Sequence, residues 1–243
     1  MSLTQNYHQD YDELPFEDVL RKYRYRYLVN LFSKLDAKNI LEIGCGYNPI
    51  FEHYTNFQKM TIVEVDNHFY EAAIQKADGN SKIKIINKPI QQSAHDLGSD
   101  FDLILISGFL HEIDNPEEVI TLLKKCCNPN TKVVTFVPNA NSFHRVLAYE
   151  AEIIEKIYEF SANDKKFGRR LVWDMGSFAD MFESNGYQVE QIETYFIKPF
   201  AHSQMVKMME AGIFTNQVLD GLDNMIKYMP DMGCEIALVA KSL

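Results

Sequence analysis

The chain alternates between short apolar runs and longer amphipathic segments, the pattern of a sheet covered by helices. Apolar runs end near residues 43, 65, 87, 107 and 137, and each is short enough to predict a buried strand. The segments between them repeat apolar residues every three or four positions, which indicates helices packed through one face. Strands separated by helices in this way predict a parallel sheet.

Two further strands and a set of helices complete the predicted order. The predicted strands are the run containing Ile40, Leu41 and Ile43, then 60–65, 82–87, 101–107, 132–137, 187–197 and 235–240. The predicted helical stretches are 15–35, 48–57, 68–76, a segment ending at Cys127, 140–162, 177–185 and 202–228. We therefore expect an α/β fold with a seven-stranded, mostly parallel sheet and helices on both faces.

The first strand leads into a glycine turn, in the stretch N-I-L-E-I-G-C-G-Y-N-P. Gly44 and Gly46 have no Cβ, so the backbone can turn tightly and approach a ligand closely. Pro49 suits the first turn of a following helix, where its missing N–H costs nothing. Strand, turn and helix form the first unit of a nucleotide-binding α/β fold. Pro49 stands where a dinucleotide fingerprint requires a third glycine, which disfavours a nicotinamide cofactor.

An acidic residue stands at the end of the second predicted strand. Glu64 follows Glu42 by 22 residues. In nucleotide-binding α/β folds an acidic residue at about this distance accepts hydrogen bonds from the ribose hydroxyls. We predict that role for Glu64, with Asp66 as the alternative.

Composition and charge narrow the class of protein. With 243 residues and 46% hydrophobic residues, the chain can form one large domain. A net charge of −10 opposes nonspecific nucleic-acid binding. The sequence has no apolar stretch as long as a membrane span and no signal-peptide pattern at its start, so we expect a cytoplasmic protein without membrane association. The four cysteines lack C-x-x-C spacing and are expected to be buried free thiols.

Several motifs in order resemble a known family. The E-x-G-x-G pattern at Glu42–Gly46 resembles motif I of the class I S-adenosylmethionine-dependent methyltransferases. The same family resemblance extends through the F-D opening at Phe101, the L-H-E-I-D-N-P segment after strand four and V-P-N at the end of strand five. It covers residues 39–139 best. It implies a Rossmann-like fold with a helical lid over the active site, S-adenosylmethionine as cofactor, and methyl transfer to a small-molecule acceptor.

The resemblance also implies a cofactor site. Glu42, Gly44 and Gly46 would serve the methionine end, and Glu64 the ribose. Where the family often has an acidic residue near the adenine, this chain offers Ile90 and Gln91. The cofactor residues implied in this way are Glu42, Gly44, Gly46, Glu64, Ile90, Gln91 and Ser107.

Two histidines are candidates for a general base. An alcohol acceptor loses its proton as the new bond forms, and histidine suits proton removal because its pKa lies near neutrality. His111 is the first choice, since the segment after strand four touches the transferring methyl group in the resembling family. His144, which follows strand five, is the second. The sequence has no convincing metal-ligand pattern, so we predict no metal.

Basic residues near the predicted strand ends suggest an anionic acceptor, because guanidinium groups bind phosphate bidentately. The segments A-N-S-F-H-R, G-R-R-L-V-W-D and K-P-F-A-H-S-Q-M also resemble bacterial methyltransferases that act on nucleotide-activated sugars for surface polysaccharides. This resemblance implies O-methylation of a nucleotide-linked sugar. The predicted acceptor-binding residues are Asn139, Asn141, Arg145, Arg169, Arg170, Lys198 and His202.

We predict a single domain with four parts: a helical lid (1–38), a cofactor-binding core (39–139), an acceptor-side insertion (140–175) and a C-terminal part of the sheet with its own helical insertion (176–243). The oligomeric state stays open, with a homodimer as one option. Three other functions also stay open. They are an N-methyltransferase of a small amine, a noncatalytic S-adenosylmethionine-binding protein, and a dehydrogenase or epimerase of nucleotide sugars, which the missing Y-x-x-x-K pattern and Pro49 disfavour.

Overall fold

The computed structural model describes residues 16–160, 164–165 and 168–243. Its centre is one seven-stranded sheet in the order β3-β2-β1-β4-β5-β7-β6. The strands are β1 Asn39–Ile43, β2 Lys59–Val63, β3 Ile83–Ile86, β4 Leu103–Ile106, β5 Lys132–Pro138, β6 Tyr187–Tyr195 and β7 Glu235–Ser242. Strands β1 to β5 pair in parallel, and β7 runs antiparallel to both β5 and β6. This confirms the predicted fold class.

The central strands are buried on both faces, which explains why they appear in the sequence as continuous apolar runs. Every residue of β4 is fully buried. Ile104 and Ile106 belong to the apolar core on one face of the sheet, whereas Leu103 and Leu105 belong to the core on the other.

Helices cover both faces. They are α1 Glu17–Lys34, α2 Asn67–Ala77, α3 Ile90–Ser93, α4 Pro116–Leu123, α5 Phe143–Glu150, α6 Met175–Ser184, α7 His202–Glu210 and α8 Asn216–Asn224. The predicted helices α1, α2 and α6 are confirmed within a few residues. Their starts follow local chemistry: Asp66 caps α2, and Asp174 forms a reciprocal capping box with Ser177 at the start of α6. Residues 1–15 of the predicted lid lie outside the described residues.

Three predicted helices are wrong in extent. The 48–57 segment contains only the 3-10 turn Ile50–Glu52, because its backbone bends to bury Phe51, Tyr54 and Phe57 together. The helix predicted over 140–162 ends at Glu150, shortly before Glu152 adopts a left-handed φ of 57°. The 202–228 helix is divided into α7 and α8 near Gly212, which has a φ of 70°.

Helix α1 is fastened to the C-terminal strand by a buried ion-pair network. Arg24 Nε donates to Glu235 Oε2 at 2.9 Å, and Arg24 Nη2 donates to Glu17 Oε1 at 2.9 Å. Tyr195 adds a hydroxyl bond to Glu235. Buried charges persist only when they are paired, so this network fixes α1 beside the start of β7. Helix α1 thereby forms one wall of the site described next.

Candidate functional site

A cavity of about 570 Å³ lies at the carboxyl ends of β1, β2, β4 and β5, the position where open α/β sheets bind ligands. Its volume is within the range of small-molecule and cofactor sites. The described residues that line it are Glu17, Arg21, Arg24, Tyr25, Leu28, Ile43–Asn48, Val63–Asp66, Phe69, Lys88–Gln91, Ser107–Phe109, His111–Asn115, Glu118, Val119, Phe136, Pro138, Arg169, Arg170 and Glu235.

The glycine turn forms part of the cavity wall. Gly44 and Gly46 have φ angles of 74° and 55°, which side-chain-bearing residues rarely adopt. A Cβ on Gly44 would lie only 2.9 Å from Phe109 Cδ1. The turn therefore requires glycine at this position and leaves its backbone facing the cavity, as a cradle for a close-lying ligand would.

Glu64 occupies the end of β2 with its carboxylate held in place. The residue is 3% exposed; Oε2 accepts from Gly46 N at 3.1 Å and Oε1 from Asp66 N at 2.9 Å. Burial raises the pKa of this carboxyl. Each oxygen has one more lone pair, so the pair can still accept two ribose hydroxyls. Asp66, the alternative, uses its side chain to cap α2 through His68 N and Phe69 N, which favours Glu64.

Glu42, which is predicted to serve the methionine end of the cofactor, lies behind the cavity wall. It is 1% exposed and does not line the cavity. Its oxygens accept from Ser107 Oγ at 2.9 Å and from Ile50 N at 3.0 Å. Burial outweighs these bonds and raises its pKa to about 7. Glu42 therefore acts on the site through Ser107, which does line the cavity.

The raised pKa of Glu42 predicts a stability change with pH. Because its pKa rises from 4.5 to about 7 on folding, the folded protein binds the extra proton and loses stability as the pH rises through that interval. The loss corresponds to about 3 kcal/mol at pH 8. Glu42→Gln keeps both hydrogen bonds without the charge. In urea unfolding, we expect the variant to gain about that much relative to wild type between pH 5 and pH 8; a constant difference would contradict the assignment.

The predicted adenine residues also lie at the cavity. Ile90 is buried and Gln91 exposed at the start of α3, and both line the cavity together with Pro89 and, from α2, Phe69. Ile90 and Phe69 supply apolar surface and Gln91 a side-chain amide, a combination that suits a planar base with polar edges.

His111 lies at the other end of the cavity, after β4. It is 5% exposed, and neither ring nitrogen makes a hydrogen bond with the described residues. Nε2 lies 3.5 Å from Glu112 Oε1. Burial, followed by the positive charge of Arg169, holds the pKa of His111 well below its usual value. The imidazole is therefore neutral near pH 7 and can accept a proton.

Arg169 and Arg170 line the cavity near His111. The backbone explains their position, because Arg170 N donates to His111 O at 2.9 Å. Arg169 Nη1 donates to Asp164 Oδ1 at 2.8 Å, and Arg170 Nη1 lies 2.6 Å from Asp114 Oδ1. Both predicted cations therefore reach the site, each with a carboxylate partner.

The remaining predicted acceptor residues, and His144, do not line the cavity, and their roles stay predictions. Asn139 Nδ2 donates to Asp231 O and Gly233 O at 2.9 Å each, and its Oδ1 accepts from Asn141 N at 2.9 Å. These bonds join two loops rather than face a ligand. The other residues of this set are Arg145, Lys198, His202 and the second base candidate His144.

Of these four side chains, Arg145 bonds to backbone carbonyls, and the other three lie in a region away from the cavity lining. The Arg145 guanidinium donates to the carbonyls of Ile157 and Glu159, which folds the insertion back on itself. Lys198 is only 6% exposed. His144 and His202 lie near it, and each has a buried Nδ1 without a hydrogen-bond partner among the described residues.

Sequence reasoning missed part of the acceptor-side wall. Glu17, Arg24 and Glu235 line the cavity, and the Arg24 guanidinium lies 4.8 Å over the Phe136 ring. The basic run at residues 21–26 was a signal for Arg24. No sequence pattern indicated Glu235, because its bonding partner Arg24 is 211 residues away in the sequence.

The comparisons with known proteins agree with this geometry. Residues 18–192 match a family described as a methyltransferase domain, so the chain belongs to that family. No curated protein matches the sequence. Among solved structures, an S-adenosylmethionine-dependent methyltransferase from Aquifex aeolicus is 11% identical with a TM-score of 0.54, covering 88% of each chain.

Two further structures share the fold. One is an S-adenosylmethionine-dependent methyltransferase from Archaeoglobus fulgidus, 14% identical with a TM-score of 0.55, covering 93% of this chain and 99% of that one. The other is the plantazolicin methyltransferase BamL, solved with a triazolic desmethylPZN analog and SAH. It is 14% identical with a TM-score of 0.60, covering 98% of this chain and 93% of that one.

By its family the protein is thus a methyltransferase, and the glycine cradle, Glu64 and the cavity fit the S-adenosylmethionine predicted from its sequence. Within the described residues, no helix is both long and apolar enough to cross a membrane. The same residues hold no group of three or more His, Cys, Asp or Glu side chains placed to bind a metal ion.

Proposed function

We propose that this protein methylates a hydroxyl group of a nucleotide-activated sugar. The observation that carries the proposal is His111, a neutral, buried imidazole at the acceptor end of the cavity whose ring nitrogens make no hydrogen bond with the described residues. Methylation of an alcohol requires a proton acceptor, and an imidazole held in its neutral form meets that need.

His111 would act as the general base. S-Adenosylmethionine supplies an electrophilic methyl group on a sulfonium. As the acceptor oxygen bonds to that methyl and the S–CH₃ bond breaks, the hydroxyl proton passes to a ring nitrogen of His111. Glu112 Oε1, 3.5 Å from Nε2, stabilises the imidazolium that results. The glycine turn and Glu64 supply orientation, which is the main requirement of an in-line displacement.

The acceptor end suits a molecule with many hydroxyl groups. Carboxylates and guanidinium groups both line this end: Glu17 and Glu235 are bonded to Arg24, and Glu112 and Arg169 lie near His111. Hydroxyl groups both donate and accept hydrogen bonds, so they can bond to either kind of group.

The proposed diphosphate contacts rest on Arg169 and Arg170, the two predicted cations that line the cavity. Guanidinium groups bind phosphate through paired hydrogen bonds. Arg169 and Arg170 are paired with Asp164 and Asp114. On acceptor binding, each arginine would either bond to both its carboxylate and the phosphate or exchange the carboxylate for the phosphate.

An amine is the second candidate acceptor. Glu17, Glu112 and Glu235 line the same end of the cavity and would attract a cationic amine. An amine that is bound in its neutral form is already nucleophilic and needs no base in the transfer step. The effect of removing His111, described in the Discussion, therefore separates the two acceptors.

The nucleotide part of the proposal predicts a preference for the phosphate-bearing acceptor. We expect kcat/KM for a nucleotide-sugar acceptor to exceed that for the free sugar, and Arg169→Ala and Arg170→Ala each to reduce this preference by about tenfold, since a hydrogen bond to a charged group contributes about 1.5–3 kcal/mol. Arg26→Ala is the matched control, because Arg26 lies on α1 and does not line the cavity. Equal efficiency with both acceptors, unchanged in the variants, would reject the nucleotide-sugar acceptor.

A further inference from the structure

Lys198, His144 and His202 lie within electrostatic reach of one another outside the cavity lining, where two helices begin. Lys198 follows β6, and His202 is the first residue of α7. Ser142 stands at the N-cap of α5, and His144 lies in the first turn of that helix. We refer to Lys198, Ser142, His144 and His202 as the Lys198 cluster.

Lys198 has little exposed surface. It is 6% exposed, and its ammonium makes no hydrogen bond or ion pair with the described residues, although Cys234, Glu17 and Glu235 lie within electrostatic reach. Burial lowers its pKa, and the nearby charge of Arg169 adds to this effect. Because burial disfavours the charged form of an amine, an anion bound beside Lys198 would stabilise that form.

Each other member of the cluster has one buried polar atom that makes no hydrogen bond with the described residues. Ser142 is fully buried, and its Oγ makes no bond although an N-cap hydroxyl ordinarily accepts one from the helix backbone. Nδ1 of His144 and Nδ1 of His202 are buried without partners as well. Burial and then the charge of Lys198 lower the pKa of both imidazoles, for His202 to about 3, so both rings are neutral. A neutral imidazole can donate from Nδ1.

Among the described residues, no carboxylate makes a hydrogen bond to these donors. Glu17 and Glu235 are the carboxylates that act on Lys198, and both are already bonded to Arg24. The starts of α5 and α7 add the positive ends of two helix dipoles, of eight and nine residues. The cluster therefore combines an ammonium, a hydroxyl, two imidazoles and two helix N-termini.

We propose that the Lys198 cluster is a binding subsite for an oxyanion, a phosphate or a carboxylate, carried by the methyl acceptor. The proposal rests on the proposed function only in assigning the anion to the acceptor. The subsite adjoins the acceptor end, because Lys198 lies within electrostatic reach of Glu17, Arg169 and Glu235, all of which line the cavity. An acceptor whose hydroxyl lies at His111 would thus place its anionic group at the Lys198 cluster, next to the wall formed by Glu17, Arg24 and Glu235.

Direct anion binding tests the subsite without a methylation assay. The probes are inorganic phosphate and acetate, added at constant ionic strength to protein saturated with S-adenosylhomocysteine and followed by calorimetry, with chloride as the reference. We expect one of the two anions to bind to wild type, and Lys198→Met to weaken its binding at least tenfold. The anion that depends on Lys198 identifies the chemical group. Lys227→Met, which removes an exposed lysine, should bind it as wild type does.

Ser142→Ala, a smaller change, provides the second variant. We expect it to weaken binding of the same anion severalfold while S-adenosylhomocysteine binding is unchanged. Binding of neither anion to wild type, or equal binding by wild type, Lys198→Met and Ser142→Ala, would overturn the subsite. Because these outcomes do not depend on turnover, they are distinct from failure of the proposed sugar methylation, which would appear as absent transfer with the anion still bound.

Discussion

Replacing His111 by alanine is expected to lower kcat by about 10²–10⁴-fold with cofactor binding intact, the range that a general base contributes. The imidazole has no hydrogen-bond partner among the described residues, so its removal breaks no bond that holds the fold. Turnover is measured as S-adenosylhomocysteine release, and cofactor affinity by calorimetry on the same preparation. The low pKa of His111 adds a second expectation: the base limb of the wild-type pH profile should lie below pH 6.5.

His95→Ala is the control, because His95 lies away from the cavity and pairs with Lys125 at the surface. It should retain wild-type turnover. If His111→Ala also retained full turnover, proton removal by this residue would be rejected and the amine acceptor would become the better account.

Replacing Glu64 by alanine is expected to weaken cofactor binding by about 10²–10⁴-fold. The carboxylate would accept two ribose hydroxyls, and a hydrogen bond to a charged group is worth about 1.5–3 kcal/mol at most. The substitution also removes the hydrogen bonds that Gly46 N and Asp66 N donate to Glu64 at 3.1 and 2.9 Å. The glycine turn therefore loses a bond that holds its backbone in place. Calorimetric titration with S-adenosylhomocysteine measures the effect.

Asp66→Ala distinguishes the two acidic candidates. Because Asp66 caps α2, its removal should cost about 1 kcal/mol of folding free energy and leave cofactor affinity nearly unchanged. Cofactor binding by Glu64→Ala equal to wild type, or a larger loss in Asp66→Ala, would contradict the ribose assignment.

The sheet was predictable because its chemistry is local and repetitive. Buried parallel strands such as β4 require consecutive apolar residues, and this pattern is visible in one sequence. The 48–57 segment was not predictable, since its three aromatic residues repeat at nearly helical spacing yet pack from an irregular backbone. Its start depends on Ile50 N bonding to Glu42, a partner on another element.

The meeting of Gly44, Gly46 and Glu64 at one cavity was predictable for the same reason. Gly44, Gly46 and Glu64 stand at strand ends, and the ends of parallel strands meet at one edge of the sheet. The acceptor half depends on long-range partners. Arg145 and Asn139 both follow β5, yet their side chains donate to backbone carbonyls instead of facing the cavity. Arg24 and Glu235 form an ion pair although they are 211 residues apart in the sequence. Such long-range pairs cannot be predicted from the spacing of residues in one sequence.

The central claim is that the cavity at the carboxyl ends of β1, β2, β4 and β5 binds the methyl donor. Calorimetric titration of the wild-type protein with S-adenosylhomocysteine, and separately with NAD, tests it most directly. We expect saturable binding of S-adenosylhomocysteine with one site per chain, and no heat from NAD. Absence of S-adenosylhomocysteine binding, or tighter binding of NAD, would contradict the account.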